Sequence, residues 1–523
     1  MENDLRFGVP EGAGTQMLAS IVADDYVLKA ENPVEAEVTF YDTFDWRLFN
    51  KSMVLCQSGN KLVVQRLPTG SILESLASGS PSSFVWELGN SPLKRSIESV
   101  VGDRRLFRVG EAYVRTAPYR VLNVDGKTVA RLLGVEVRAG LGAKAALLDA
   151  HIALQAVRGY PGHFQQLAEK FGQAGLIASG WQETFRRIVA AEGIAAQRQP
   201  GYYSAKPDYQ LEPGARADEA AKTILRQTLA VMRANEAGIK ADWDAEFLHD
   251  FRTAVRRTRS ALSQIPGVFG PEITARFKEA FGLLGESSNR LRDLDVYLLS
   301  ESDYRALLPD AMREDIAPLF EYLREQRGQA LQETIDELNS ARYAAMMDEW
   351  DAFLHEPVPD APSAPNANVP IDEVARRQIS KRYRQVIKDG NQIRIQTQDE
   401  DLHRLRIDCK KLRYLIEFFA SLFPQKEIGA LVGQLKLLQD DLGVYNDLSV
   451  QQAYLMQISD VLPASDARGR RGLVAIGFLV EKLAAQHQAM RPELAKAFEE
   501  FAAPRNRELY RRLFRNDEGM VGS

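Results

Sequence analysis

A basic helical segment occurs twice in this chain, 154 residues apart, and that repetition limits the fold more than any other feature. The first copy, FLHDFRTAVRRTRSAL, carries His249, Arg252, Arg256, Arg257 and Arg259. The second, DLHRLRIDCKKLRYLI, carries His403, Arg406, Lys410, Lys411 and Arg413. An apolar stripe runs through each copy: Leu248, Phe251, Val255, Thr258 and Leu262, then Leu402, Leu405, Cys409, Leu412 and Ile416. Steps of three and four mark the buried face of a helix. At about 100° per residue, His249, Arg252, Arg256 and Arg259 share an arc of roughly 80° beside that face, whereas Arg257 and Lys411 fall off it. A charge run is ordinarily a solvated helix face. Here no acids interleave on the arc to form i,i+4 pairs, and the same repulsive arrangement is present twice. Cations held together at matched positions point to an anion that binds them.

The repeat extends past these helices. Lys222 matches Arg376 upstream; downstream, Leu283 and Leu284 match Leu437 and Leu438, and Asp293, Leu294 and Val296 match Asp447, Leu448 and Val450. Residues 220–515 therefore read as an all-α region of two related halves, about 220–356 and 371–515, joined by a flexible Pro- and Ala-rich loop, 357–370. Pseudo-duplicates of this kind pair about a pseudo-twofold axis, which would bring both cationic faces into one groove.

The first 196 residues read differently. Short β-branched and aromatic runs (EAEVTFYDTFDW, KLVVQRL, RLFRVGEAYVRT, KTVARLLGVEV) alternate with turn signals, and Asn123-Val-Asp125-Gly126 marks a hairpin. Such spacing fits a closed antiparallel barrel or a sandwich with flanking helices. The Pro-, Gly- and Tyr-rich segment 197–219 reads as a linker. The chain is thus expected to be an α+β multidomain protein, consistent with its 523 residues.

The net charge of −5 makes the basic helices local features and weighs against a general nucleic-acid binder. Cys56 and Cys409 read as reduced structural thiols, which places the chain in the cytoplasm. The start, MENDLRFGVPEG, has no leader pattern, and no apolar run is long enough to span a bilayer.

The doubled His-x-x-Arg-x-x-x-Arg/Lys-x-x-Arg pattern, followed by RDLDV (292–296) and NDLSV (446–450), resembles the CHAD family, the conserved histidine α-helical domain, over roughly residues 205–515. The resemblance implies two four-helix halves around a basic channel that binds inorganic polyphosphate. It puts His249, Arg252, Arg256, Arg259, His403, Arg406, Lys410 and Arg413 on the binding surface, with Arg257, Lys411, Lys222 and Arg376 as further contributors. It also implies association with polyphosphate granules. YDTFDWRLFNK (41–51), the VDG turn, GVEV (134–137) and HIALQAVRGYPGHF (151–164) resemble the CYTH or triphosphate-tunnel family. That family opens with Glu-x-Glu-x-Lys, and the equivalent here is Glu2, Asp4 and Arg6. Its basic Leu-Arg-x-Arg strand is replaced by Leu55-Cys56-Gln57. The resemblance therefore implies a degenerate tunnel that binds no cofactor and catalyses nothing. The alternative is a metal-dependent triphosphatase, with Glu2 and Asp4 holding Mg²⁺ or Mn²⁺.

Two readings stay open for His249 and His403: a ligand contact, or a structural ring satisfied by a carboxylate such as Asp293 or Asp447. The other histidines, His151, His163, His355 and His487, read as ordinary residues. Asp293, Asp295 and Asp447 fit ion pairs or helix caps better than a metal site. The interleaved side chains of the basic helices are mostly aliphatic, unlike the aromatic platforms of single-strand nucleic-acid binders.

Overall fold

The computed structural model describes residues 5–9, 15–67, 69–77, 82–193, 203–206, 208–393 and 397–515. The chain divides into two units, 1–204 and 205–523, the division falling inside the segment read as a linker.

The first unit contains β1 (Leu5–Gly8), α1 (Thr15–Val22), β2 (Val27–Ala30), β3 (Val34–Thr43), α2 (Arg47–Asn50), β4 (Met53–Ser58), β5 (Lys61–Arg66) and β6 (Ile72–Ala77). After these come α3 (Pro92–Val101), β7 (Leu106–Leu122), β8 (Thr128–Ala139), β9 (Leu147–Ala156), α4 (Pro161–Gln173), β10 (Ile177–Ala178) and α5 (Trp181–Ala191). The strands form one antiparallel sheet in the order β10-β1-β9-β8-β7-β3-β4-β5-β6, with β2 also on β7. The β7–β8 hairpin turns where the sequence indicates. Gly126 takes a φ of 74°, which a glycine adopts without strain. The Asn123 Oδ1 accepts the amides of Asp125 at 3.1 Å and Lys127 at 2.9 Å.

Side chains alternate across the strands, so one sheet supports cores on both faces. Val121, Leu132, Ile152 and Leu154 pack with Phe164 and Leu167 of α4. Phe40, Cys56, Val63, Ala112, Val135 and Val137 pack on the opposite face against Trp181, Phe185 and Ile188 of α5. Gly110 permits this approach, because a Cβ there would stand 2.8 Å from the Ile188 side chain. Leu55, Leu62 and Val64, one residue out of phase with Cys56 and Val63, pack on Leu93, Ile97 and Val101 of α3.

The second unit is helical. Its first half comprises α6 (Ala217–Lys240), α7 (Ala245–Gln264), α8 (Pro271–Ser287), α9 (Asn289–Leu299), α10 (Glu301–Leu307), α11 (Ala317–Asn339) and α12 (Ala341–His355). Its second half comprises α13 (Ile371–Gly390), α14 (Asp399–Phe418), α15 (Gln425–Val461), α16 (Ala467–Phe501) and α17 (Pro504–Phe514). The starts of α6, α7 and α8 precede those of α13, α14 and α15 by 154 residues each. The halves differ where α8 and α9 break at Ser288, because α15 runs unbroken through the matching position.

The loop 357–370 is not the flexible tether its composition suggests. Val369 O accepts the Ala217 amide at 3.0 Å, the Asn366 amide reaches Gly267 O at 2.8 Å, and Ala367 is fully buried. Backbone pairing, which composition does not reveal, holds it against the start of α6 and the end of α7. No described helix is long and apolar enough to cross a membrane.

Candidate anion-binding surface

Local chemistry starts α7 at the right residue. The Asp244 carboxylate caps it, accepting the amides of Glu246 at 2.9 Å and Phe247 at 3.3 Å. Gly238 of α6 lets the Phe247 ring come so close that any Cβ would overlap it. The stripe residues named from the sequence are all buried in both helices. Burying that face leaves the basic arc beside it at the helix surface.

The two basic helices meet each other. Arg257 Nη2 donates to the Glu417 carboxylate at 3.3 Å, and Gln264 Nε2 donates to Lys411 O at 3.3 Å. Glu417 also lies 3.5 Å from Arg413 Nε, so one acid serves a cation from each half. Arg257 is itself buried and donates to Ala205 O at 2.7 Å, and its counterpart Lys411 lies 3.6 Å from Asp408. Both sit off the arc and hold the fold.

On the arc, cations from the two halves come within electrostatic range. Burial, and then the nearby Arg406 and Arg256, push the Lys410 ammonium down to about 8, against the partial relief from Asp447. Arg256 belongs to the other half. Lys410 has no ion pair among the described residues. Burial and Arg256 likewise push the Arg252 guanidinium down to about 10, with Asp293 opposing the shift. Arg252 is held at the helix break: it donates to Gly285 O at 2.8 Å, Ser288 Oγ at 2.7 Å and Asn289 Oδ1 at 2.5 Å. The Gly285 carbonyl is available because α8 ends there and frees its last carbonyls, and Ser288 and Asn289 at the break add side-chain oxygens. Arg406, at the matched position on α14, faces the unbroken α15 and instead reaches Asp447 at 3.4 Å. The Arg259 guanidinium lies beside Gly282 and Gly285 of α8, and the exposed Arg256 donates to Thr253 Oγ1 at 3.0 Å.

The histidines sit at the same edge. His403 is exposed and its Nδ1 pairs with Asn446 Oδ1 at 2.6 Å, one residue before the aspartate considered from the sequence; His249 is half-buried. Asp295 is an ion-pair residue, 2.7 Å from Arg327 and buried. Asp293 is raised by burial, although Arg252 and Arg292 pull it down, and it also feels Asp447.

Lys222 and Arg376 have other work. The Lys222 ammonium is buried and donates to Phe353 O and Glu356 O, each at 2.6 Å. Arg376 donates to Leu513 O at 2.6 Å. Arg226 and Ser380, another pair at the repeat spacing, donate to Leu354 O and Phe514 O. These four residues close the carboxyl ends of α12 and α17, where orphan carbonyls attract cations. The sequence offset was right; the role of such a pair depends on which helix end lies opposite. Glu417 and Asn446, which sequence reasoning left without a role, were visible as an i+4 acid after Arg413 and as the first residue of NDLSV.

In the first unit, Glu2 and Asp4 lie outside the described residues. Arg6 does enter the α5-packed face, its Nη2 2.6 Å from His151 Nε2 and its guanidinium over the Trp181 ring. The buried His151 is pushed below its ordinary value, chiefly by burial. A neutral ring then donates from Nδ1 to Asp149 at 2.8 Å and accepts from Arg6; Thr184 donates to the same carboxylate oxygen at 2.6 Å. Asp42, in the stretch YDTFDWRLFNK, is buried and accepts the amides of Thr43, Leu48 and Phe49, and burial raises it to about 7. It folds α2 onto the sheet. No group of three or more His, Cys, Asp or Glu among the described residues is placed to hold a metal.

Residues 223–456 match the CHAD domain family, and the chain carries that domain. Uncharacterized proteins from two strains of Mycobacterium tuberculosis are 26% identical over 297 residues, 56% of this chain and 53% of theirs. The chain spans about half the length of these curated relatives. Among solved structures, the CHAD domain of the plant Ricinus communis is 26% identical, with a TM-score of 0.48 over 57% of this chain and 96% of its own. PptA from Streptomyces chartreusis is 17% identical, with a TM-score of 0.44 over 55% of this chain and all of its own. A Hippeastrum protein described as an adenylyl cyclase with a dominant triphosphatase activity is 15% identical, with a TM-score of 0.24 over 34% of this chain and 89% of its own.

Proposed function

We propose that the paired basic helices bind inorganic polyphosphate and that the protein acts as a polyphosphate-binding component, associated with polyphosphate granules. One observation carries the reading: the Lys410 ammonium is pushed down to about 8 by burial and then by Arg406 and by Arg256 of the other half, and it has no ion pair among the described residues. Such a cluster is costly when empty and favourable when a polyanion lies across it. Arginine suits the task because its planar fork grips phosphate oxygens in pairs and stays charged. The first unit is read as a non-catalytic domain, since Trp181, Phe185 and Ile188 fill one face of its sheet. The competing triphosphatase would release phosphate from tripolyphosphate with Mg²⁺ or Mn²⁺.

The test is titration with long-chain polyphosphate at two salt concentrations. Wild type is compared with Arg252→Ala, Arg256→Ala, Arg406→Ala and Lys410→Ala combined. Removing four phosphate contacts is expected to flatten the logarithmic salt slope by about three and to abolish tight binding. Unchanged affinity in a folded variant would sink the assignment.

A further inference from the structure

A second cationic site lies away from the motif helices, between α13 and α17. A groove of about 500 Å³ is lined there by Arg377, Arg384, Arg507, Arg511 and Arg515, over Tyr383, Ile387, Tyr510 and Phe514. The arginines are exposed and no carboxylate lines the groove. Arg511 alone of the five pairs with an acid, Glu508 on its own helix, among the described residues. Arg377 bonds Asn366, while Arg384 and Arg507 bond backbone carbonyls.

The repeat shows that the bundle does not need these charges. The positions 154 residues before Arg377 and Arg384 are Thr223 and Ala230; on the last helices, where Leu354 O and Phe514 O take matching donors 160 residues apart, the counterparts of Arg507 and Arg511 are Met347 and Asp351. The first half therefore builds the equivalent corner without a single cation at those places. The arginines are an addition to one half.

The floor beneath them is aromatic and mostly buried, Tyr383 being 9% exposed and Tyr510 and Phe514 only 3% and 1%, with the half-buried Ile387 beside them. Tyr383 and Tyr510 stack with centroids 3.7 Å apart and planes within 10°, and Phe514 lies 5.8 Å from Tyr510. Both tyrosine hydroxyls are buried without a hydrogen-bond partner among the described residues; that of Tyr383 lies near Arg507 and Arg511, whereas that of Tyr510 lies near Cys409 in the core. Buried polar groups are normally satisfied, so the Tyr383 phenol beside these arginines calls for an acceptor. An inorganic phosphate chain has no apolar surface to lay on this floor. A ligand with phosphates at one end and a flat organic group at the other would use both parts. The volume also falls in the usual range for a small-molecule site.

We propose that this groove binds a nucleoside polyphosphate, its phosphates held by Arg384, Arg511 and their neighbours and its base or sugar laid over Tyr383 and Ile387. The site is independent of the polyphosphate surface on α7 and α14.

Calorimetric titration of the full chain with ATP, tripolyphosphate and adenosine tests this. Saturable ATP binding is expected, weakened at least about tenfold by Arg384→Gln with Arg511→Gln, the loss expected for charge-assisted contacts. Arg377→Gln with Arg515→Gln serves as a second variant if the first does not fold. The Arg252, Arg256, Arg406 and Lys410 quadruple variant should keep ATP affinity within about twofold, because distant sites act independently. Tripolyphosphate should displace ATP only at clearly higher concentration. The proposal is overturned if ATP does not bind saturably, or if the quadruple variant loses it while the groove variants keep it. It also fails if tripolyphosphate competes as well as ATP does.

Discussion

Replacing Lys410 by methionine should make the free protein more stable and the ligand-bound protein weaker. Burial and the neighbouring Arg406 and Arg256 bring the ammonium from its ordinary 10.5 down to about 8. A base whose folded value is lowered is disfavoured in its charged form by the fold. Stability is therefore reduced below pH 8 and recovered as pH rises from there towards 10.5. At 1.36 kcal/mol per unit, the lowering corresponds to an upper bound of about 3 kcal/mol. Methionine keeps the length and apolar stem of the side chain and removes the charge. A gain of about 1–3 kcal/mol at pH 7 follows, or a Tm several degrees higher for a unit of this size. Thermal unfolding of both proteins at pH 7 and again near pH 10.5 is the assay. The difference should shrink at the higher pH, where wild type has also lost the charge. With polyphosphate present the order reverses at pH 7, because the anion stabilises the lysine form selectively. A lower Tm for the methionine variant at pH 7, or a difference equal at both pH values, would refute the electrostatic account of this cluster.

Three further outcomes follow from the geometry. Lys222→Met strands the Phe353 and Glu356 carbonyls and should cost about 1–3 kcal/mol in denaturant unfolding, leaving polyphosphate affinity within about twofold. Gly390→Ala places a Cβ inside the Phe498 ring and should destabilise the second unit by roughly 1–3 kcal/mol or more, read as a shift in denaturation midpoint. Lys410→Arg should remove the pH dependence of polyphosphate affinity above pH 8, where wild type weakens by up to about tenfold per unit, since arginine stays protonated there.

Much of the candidate surface was legible because it is periodic. Thr258 and Cys409, the least apolar members of the two stripes, are as buried as their neighbours, so the helical phase alone placed the arginines. Leu284 and Leu438 are buried while Leu283 and Leu437 are exposed, again as a helix requires of adjacent residues. Lys222 and Arg376 obey the same offset, yet the offset says nothing about the carbonyls of α12 and α17 that take their protons. Those helix ends are more than 130 residues away in sequence. The loop 357–370 was misjudged for a related reason: proline and alanine content reports local stiffness, not the backbone partners a loop meets.

The sequence by itself determined two helical halves, the buried face of each basic helix, the β-rich first region with its Asn123–Gly126 turn, and which cations could share an arc. Those are consequences of period and turn chemistry, which act over a few residues. Tertiary structure decided which cations meet. It brought Arg256 within range of Lys410, tied Arg252 to a helix break that α15 lacks, gave Glu417 to cations of both halves, and packed α5 against one face of the sheet. Each of these depends on the distance between elements far apart in the chain, and electrostatic energy depends on that distance and on burial rather than on order in sequence.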